Sequence, residues 1–144
     1  MTRISAPRCI FTEGSITLPA GYREQTVNIL IAPSGPSLNI SRDQLHPGED
    51  FAAYLARQRE VLQKRLRRYQ SLDEQPAVLG DGLLHGITLL SRYHPQKGQT
   101  LYQRQAVFPV TASDVLIFTL AGSRALTEQD EAFFSACLDS YQHL

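Results

Sequence analysis

Apolar positions in this chain switch between two spacings, every second residue and every third or fourth, and the switches divide it into elements. Residues 8–13 and 15–18 read as two short strands, or as one strand bent at Gly14, before Pro19-Ala20-Gly21 breaks the pattern. Residues 25–32 alternate, with Val27, Ile29 and Ile31 on one side and Thr26, Asn28 and Leu30 on the other. A register shift of one residue would present Asn28 and Leu30 instead. Pro33-Ser34-Gly35-Pro36 turns the chain. Residues 37–42 return as the second arm of a hairpin, in which Leu38 and Ile40 oppose Ser37, Asn39 and Ser41.

From Phe51 to about Tyr69 the spacing becomes helical, with Phe51, Tyr54, Leu55, Val61, Leu62, Leu66 and Tyr69 forming a stripe. Glu49 and Asp50 ahead of it, and Lys64, Arg65, Arg67 and Arg68 at its end, complement the helix dipole. Gln58 falls within the stripe, one turn before Leu62. Residues 77–79 predict a short strand that turns at Gly80-Asp81-Gly82, and residues 83–93 should pair with 100–108 across the loop that begins at His94-Pro95. Residues 115–121 are almost wholly apolar, as suits a central strand buried on both faces. Thr127 is placed to cap a last helix, with Phe133, Cys137 and Tyr141 on one stripe and Phe134 and Leu138 beside it. The pattern predicts an α+β fold in one domain, residues 1–144: a curved antiparallel sheet with a long central helix and a C-terminal helix packed on it.

Composition narrows the function. A chain of 144 residues can bury roughly two-thirds of its unfolded surface. With 42% hydrophobic and 19% charged residues it is not a disordered composition. Fourteen basic and fourteen acidic residues cancel, which argues against nucleic acid, where phosphate neutralisation dominates binding. No apolar run approaches the ~20 residues of a membrane span, so stable insertion is not expected. The first residues lack the apolar centre of a secretory signal. Cys9 and Cys137, far apart in the chain, suggest two thiols in a reducing compartment and not a disulfide framework.

Catalytic chemistry finds no foothold. His46, His85, His94 and His143 are not spaced with other ligands as a metal site requires. Gly80-Asp81-Gly82 is a turn and not a phosphate loop, and no Gly-x-Ser-x-Gly elbow occurs. The carboxylate pairs Asp73-Glu74 and Asp130-Glu131 fall in a polar turn and at a helix start, where solvation or capping accounts for them. For the basic run at 65–68, dipole complementation is preferred over anion binding. The expectation is a protein without enzymatic activity, metal or cofactor.

What is left is a surface. In the strand at 101–108, Gln103 and Gln105 share a face with Leu101 and Val107, while Tyr102, Arg104, Ala106 and Phe108 share the other. Ser37, Asn39 and Ser41 line one face of another strand, and Gln58 sits in the apolar stripe of the long helix. Together they could line one concavity with Val27, Ile29, Leu62 and Leu66, and the two glutamines should then point at that helix's stripe. Small hydroxyls and amides among apolar residues are what partner helices offer a transmembrane helix inside a bilayer. A ~20-residue span is ~30 Å long, about the width of a small domain, and a two-fold dimer would widen the groove.

Five segments occur in the order seen in the Eag chaperones: Thr26-Val27-Asn28-Ile29-Leu30, residues 38–43, the helix segment 54–58, Tyr102-Gln103-Arg104-Gln105, and Leu116-Ile117-Phe118-Thr119. Across residues 10–141 the chain thus resembles these effector-associated chaperones of bacterial type VI secretion, whose fold is related to DcrB and PsbP-like proteins. The resemblance implies a cytoplasmic homodimeric adaptor that shields the N-terminal transmembrane helices of a PAAR-containing, Rhs-type effector and helps load it onto the secretion spike. By position it implies a groove of Val27, Ile29, Ser37, Asn39, Ser41, Gln58, Leu62, Leu66, Gln103 and Gln105. Leu62 is larger than the small residue associated with that turn in the family. A second reading of the same broad fold is a docking module with a charged-surface partner, whose binding would weaken steeply with salt.

Overall fold

The computed structural model describes residues 6–144; residues 1–5, part of the stretch read for a secretory signal, lie outside them. Six strands form one antiparallel sheet. In chain order the main elements are β1 (Arg8–Phe11), β2 (Gly14–Thr17), β3 (Asn28–Leu30), β4 (Ser37–Gln44), α1 (Phe51–Arg65), β5 (Gln70–Leu79), β6 (Leu84–Tyr93), β7 (Leu101–Pro109), β8 (Asp114–Gly122) and α2 (Glu128–Asp139). The sheet runs β3-β4-β8-β7-β6-β5, and β1-β2 stands apart as a two-stranded ribbon.

The two helices pack on opposite faces. On one, Phe134 and Leu138 of α2 close over Leu38, Leu79, Ala106, Phe108, Phe118 and Leu120. On the other, Tyr54 of α1 meets Val107 and Val115, with Phe51, Leu55, Ile87 and Ile117 around them. Alternation along β8 serves both sides, sending Phe118 and Leu120 to α2 and Val115 and Ile117 to α1. That is the doubly covered central strand expected from its unbroken apolar run.

Local chemistry explains the boundaries. Asp50 caps α1, its carboxylate accepting from the Ala53 N–H, and Thr127 and Asp130 form a reciprocal capping box on α2. The expected hairpin of residues 25–32 with 37–42 forms as β3–β4, although β3 keeps only three paired residues. Strands β6 and β7 pair as expected. Gly86 of β6 lies so close to β7 that an added Cβ would come within 1.9 Å of the Val107 carbonyl oxygen, so only glycine fits.

Two expectations are corrected. The first helix does not reach Tyr69: it ends at Arg65, Leu66 is already extended, and Arg68 takes a left-handed φ of 54° that turns the chain into β5. The strand expected at 77–79 is the end of a ten-residue strand. It is an edge strand, mostly solvated on both faces and carrying Pro76 and a bulge between Ser71 and Asp73, so it lacks the alternation that marks half-buried strands. Asp73 and Glu74 therefore sit in a strand and not a turn. Each has a cation: Asp73 meets Arg104 at 3.3 Å, and Glu74 pairs with Arg59.

Candidate interaction face

Cross-strand partners point to the same side of a sheet, so the register assembles the α1 face row by row. One row crosses all six strands as Ile29, Asn39, Thr119, Gln105, Leu89 and Glu74. The next holds Ser37, Ala121, Gln103, Ser91 and Ser71. Ser41 lies beside Ile117 one step the other way. Ser37, Asn39, Ser41, Gln103, Gln105 and Ile29 therefore share one face, the face that α1 packs against.

Helix α1 covers only part of it. Gln58 and Leu62 meet Gln105 around a cavity of about 70 Å³, with Tyr54, Leu89 and Ile117 also lining it. That volume is far below the roughly 300–1,000 Å³ of small-molecule sites. The space suits a side chain from another polypeptide better than a cofactor. Toward β3 the sheet is uncovered, and Ile29 stays 60% exposed. Val27 is exposed too, but it precedes the paired part of β3 and its placement on the face rests on sequence parity alone. Leu66 forms the C-cap of α1 and does not line the cavity.

The polar groups fall into two sets. The first is held in place. Asp43 accepts from the Tyr54 hydroxyl at 2.8 Å and from the Gln58 amide at 3.3 Å, and Gln105 donates to the Thr119 hydroxyl at 3.2 Å. Burial, and then the Asp43 carboxylate, raise the Tyr54 pKa above that of a free phenol, so it stays a donor. An amide has two N–H donors and an acceptor oxygen, so Gln58 and Gln105 keep capacity beyond these bonds. The second set is unmet. Asn39 Oδ1 and Ser91 Oγ are buried with no hydrogen-bond partner among the described residues. The Tyr69 hydroxyl approaches Ser91, yet neither makes a bond of good geometry. Ser91 is 0% exposed and Gln103 only 7%, unusual burial for such side chains.

Asp43, Thr119 and Ser91 are members of this face that the sequence pattern did not single out. A hydroxyl or carboxylate at one position of an otherwise alternating strand is a weak signal, and only the register aligns these with the glutamines. At the N-terminal end of α1, Glu49 binds Arg57 at 2.8 Å, and that ion pair, followed by the His46 backbone N–H, lowers its pKa to about 2. Both cysteines are free, and their thiols are raised, Cys9 by Glu24 and Cys137 by burial, so neither is an activated nucleophile. Among the described residues no three His, Cys, Asp or Glu side chains gather as a metal site, and no helix is long and apolar enough to cross a membrane.

Comparison with known proteins agrees with this architecture. A Pseudomonas aeruginosa protein of unknown function, PA94, described as a putative regulator, superposes with a TM-score of 0.74 over 96% of both chains at 24% identity, which speaks to the fold alone. A curated relative, Effector EagT6 from Pseudomonas aeruginosa PAO1, is 34% identical over 118 residues, 78% of this chain and 79% of that protein. The family model DcrB matches residues 13–140. This chain belongs to the DcrB family and, within it, to the effector-associated Eag group.

Proposed function

We propose that the α1 face is the docking surface for an apolar helix of a type VI secretion effector, and that the protein is the adaptor that keeps this helix soluble before export. The relationship to EagT6 supports an effector-associated role. The observation that carries the finer reading is the pair of unmet buried acceptors, Asn39 Oδ1 and Ser91 Oγ, in rows with Gln103, Gln105 and Thr119. A buried polar atom without a partner costs free energy on the order of 1–3 kcal/mol, which a bound partner can relieve. A transmembrane helix brings close-packing Gly, Ala or Ser ridges and small hydroxyls that suit a face of amides and serines. The cargo is the N-terminal transmembrane region of a PAAR-containing, Rhs-type effector.

Val27, Ile29, Leu62 and Leu66 supply the apolar part of the grip, and Ser37, Asn39, Ser41, Gln58, Gln103 and Gln105 the polar part. Ile10, Phe11 and Ile16 on the β1–β2 ribbon, with Leu30 on β3, are exposed apolar surface that a second copy would cover, which supports a homodimer. Co-expression with an N-terminal effector fragment tests the reading. The fragment should be soluble only with this protein, and Asn39→Lys should release it while the melting curve holds. A fragment equally soluble alone would sink the proposal. Light scattering of the purified protein at twice the monomer mass is the expected result for the dimer.

A further inference from the structure

Beyond Leu66 the chain gathers positive charge in a place that helix-dipole arguments do not reach. Arg67 and Arg68 lie past the last turn of α1 and line a cleft of about 350 Å³ with His94, Lys97, Gly98 and Thr100. The His94 N–H donates to the Arg67 carbonyl at 2.9 Å, which ties the segment after α1 to the β6–β7 connection. His94 Nδ1 lies 2.9 Å from the Gln99 carbonyl oxygen; a carbonyl only accepts, so Nδ1 carries the hydrogen and this bond fixes the ring at the cleft. Arg57, Arg59, Lys64 and Arg104 each have a carboxylate. Arg67, Arg68 and Lys97 have none within 4.0 Å among the described residues, and no acidic residue lines the cleft.

The position of the cleft matters as much as its charge. On the α1 face, β6 runs Ile87, Leu89, Ser91, Tyr93 while β7 runs Val107, Gln105, Gln103, Leu101 beside it. His94 and Thr100 lie immediately past the paired Tyr93 and Leu101, so the cleft sits at the end of the sheet where that floor stops. On the helix side, Arg67 and Arg68 follow directly on Leu66, the C-cap of α1, so the cleft begins where the helix ends. The other end of this face carries Asp43, Glu49 and Asp50 around the start of α1, with Arg57 paired to Glu49.

We propose that this basic cleft binds the carboxylates of an acidic peptide segment that adjoins the apolar segment held on the α1 face, and so fixes the direction in which that polypeptide lies. The proposal rests on the α1 face as the docking surface. Arg side chains present paired N–H donors that match carboxylates, and three unpaired cations at one end of a neutral chain favour an acidic flank there over a basic one. Its volume exceeds what one isolated phosphate would fill, and its place just past the ends of β6, β7 and α1 puts it within reach of a stretch of the same polypeptide.

The test uses fluorescein-labelled soluble peptides and anisotropy. One joins a short Leu/Ala/Ser segment to an Asp-Glu-Asp-Glu tail, a second carries Asn-Gln-Asn-Gln in its place, and a third is the acidic tail alone. The wild-type protein should bind the acidic-tailed peptide roughly tenfold more tightly than the amide-tailed one, an advantage that shrinks as salt rises. The double variant Arg67→Glu/Arg68→Glu should lose that advantage yet bind the amide-tailed peptide as wild type does, and Lys97→Glu should lose part of it, with circular dichroism checking the fold of each. Equal affinity for both tails, or an advantage that survives the charge reversal, overturns the proposal. So does displacement by inorganic phosphate or phosphatidylglycerol vesicles together with indifference to the acidic tail. Should the amide-tailed peptide not bind at all, the docking surface fails, and charge-reversal-sensitive binding of the tail alone still decides the cleft.

Discussion

On the α2 side of the sheet, Phe108, Phe118, Leu120, Phe134 and Leu138 close on one another, and Phe108 meets Phe118 edge to face at 6.1 Å. On the α1 side, the same strands bury Gln103 and Ser91 and leave Asn39 Oδ1 and the Ser91 hydroxyl without partners among the described residues. One side is a finished core. The other has an interior's shape without an interior's chemistry, and its long helix covers only part of it. On the proposed reading, such a sheet folds with one face and grips with the other. The α2 face closes an apolar core, and the α1 face holds buried polar atoms that have no hydrogen-bond partner among the described residues.

The largest expected effect strikes the finished side. Phe108→Ala should cost about 3–5 kcal/mol in urea denaturation, because Phe108 is fully buried and its cavity cannot collapse between paired strands. Leu62→Ala, beside an existing cavity and half-buried, should cost clearly less. Equal losses would erase the division between the faces. Arg104 comes next. It crosses the α2 face to bind Glu131 at 2.9 Å and Asp73 at 3.3 Å, with only 11% of its side chain exposed. Arg104→Met should cost about 1–3 kcal/mol by leaving those carboxylates unpaired. A loss on that scale with unchanged cargo binding fits the division, whereas a loss of cargo binding alone would contradict it.

Much of this division was legible in the chain. Alternation alone put Gln103 and Gln105 opposite Ala106 and Phe108, and the register confirms that split. The capping residue Thr127 and the unbroken apolar run of β8 were equally direct. The edge strand β5 was not legible, because a strand solvated on both faces has no alternation to read. The end of α1 was missed for a different reason: Leu66 and Tyr69 keep helical spacing, while the left-handed turn at Arg68 is a tertiary choice. That same error made the basic run look like a dipole effect. Ser91 and Thr119 were invisible as site residues, since one hydroxyl per strand carries no pattern until pairing aligns several.

At the N-terminal end of α1, pH separates fixed charge from binding chemistry. Glu49 has its pKa lowered from 4.5 to about 2 by Arg57 and the His46 N–H. Its folded-state pKa lies below the unfolded one, so its contribution is complete above about pH 4.5 and fades as pH falls toward 2. Thermal melts across that window should show wild type losing stability that Arg57→Gln, already without the pair, loses less of. Identical slopes would mean that the pair does not anchor the start of α1.

The smallest expected effect bears most directly on the α1 face. Ser91 is fully buried, and its hydroxyl oxygen has no hydrogen-bond partner among the described residues. Ser91→Ala removes a desolvated group at little cost in packing, so the urea midpoint should hold or rise, with a gain of no more than about 1 kcal/mol. The same change deletes a group that a docked helix would satisfy, so retention of an effector fragment should weaken while the protein itself does not. On the α2 face no substitution should behave this way, because among the described residues no buried side-chain polar atom there lacks a partner. If Ser91→Ala destabilises the protein by more than about 1 kcal/mol, its hydroxyl is bonded within the fold and the α1 face is an ordinary core.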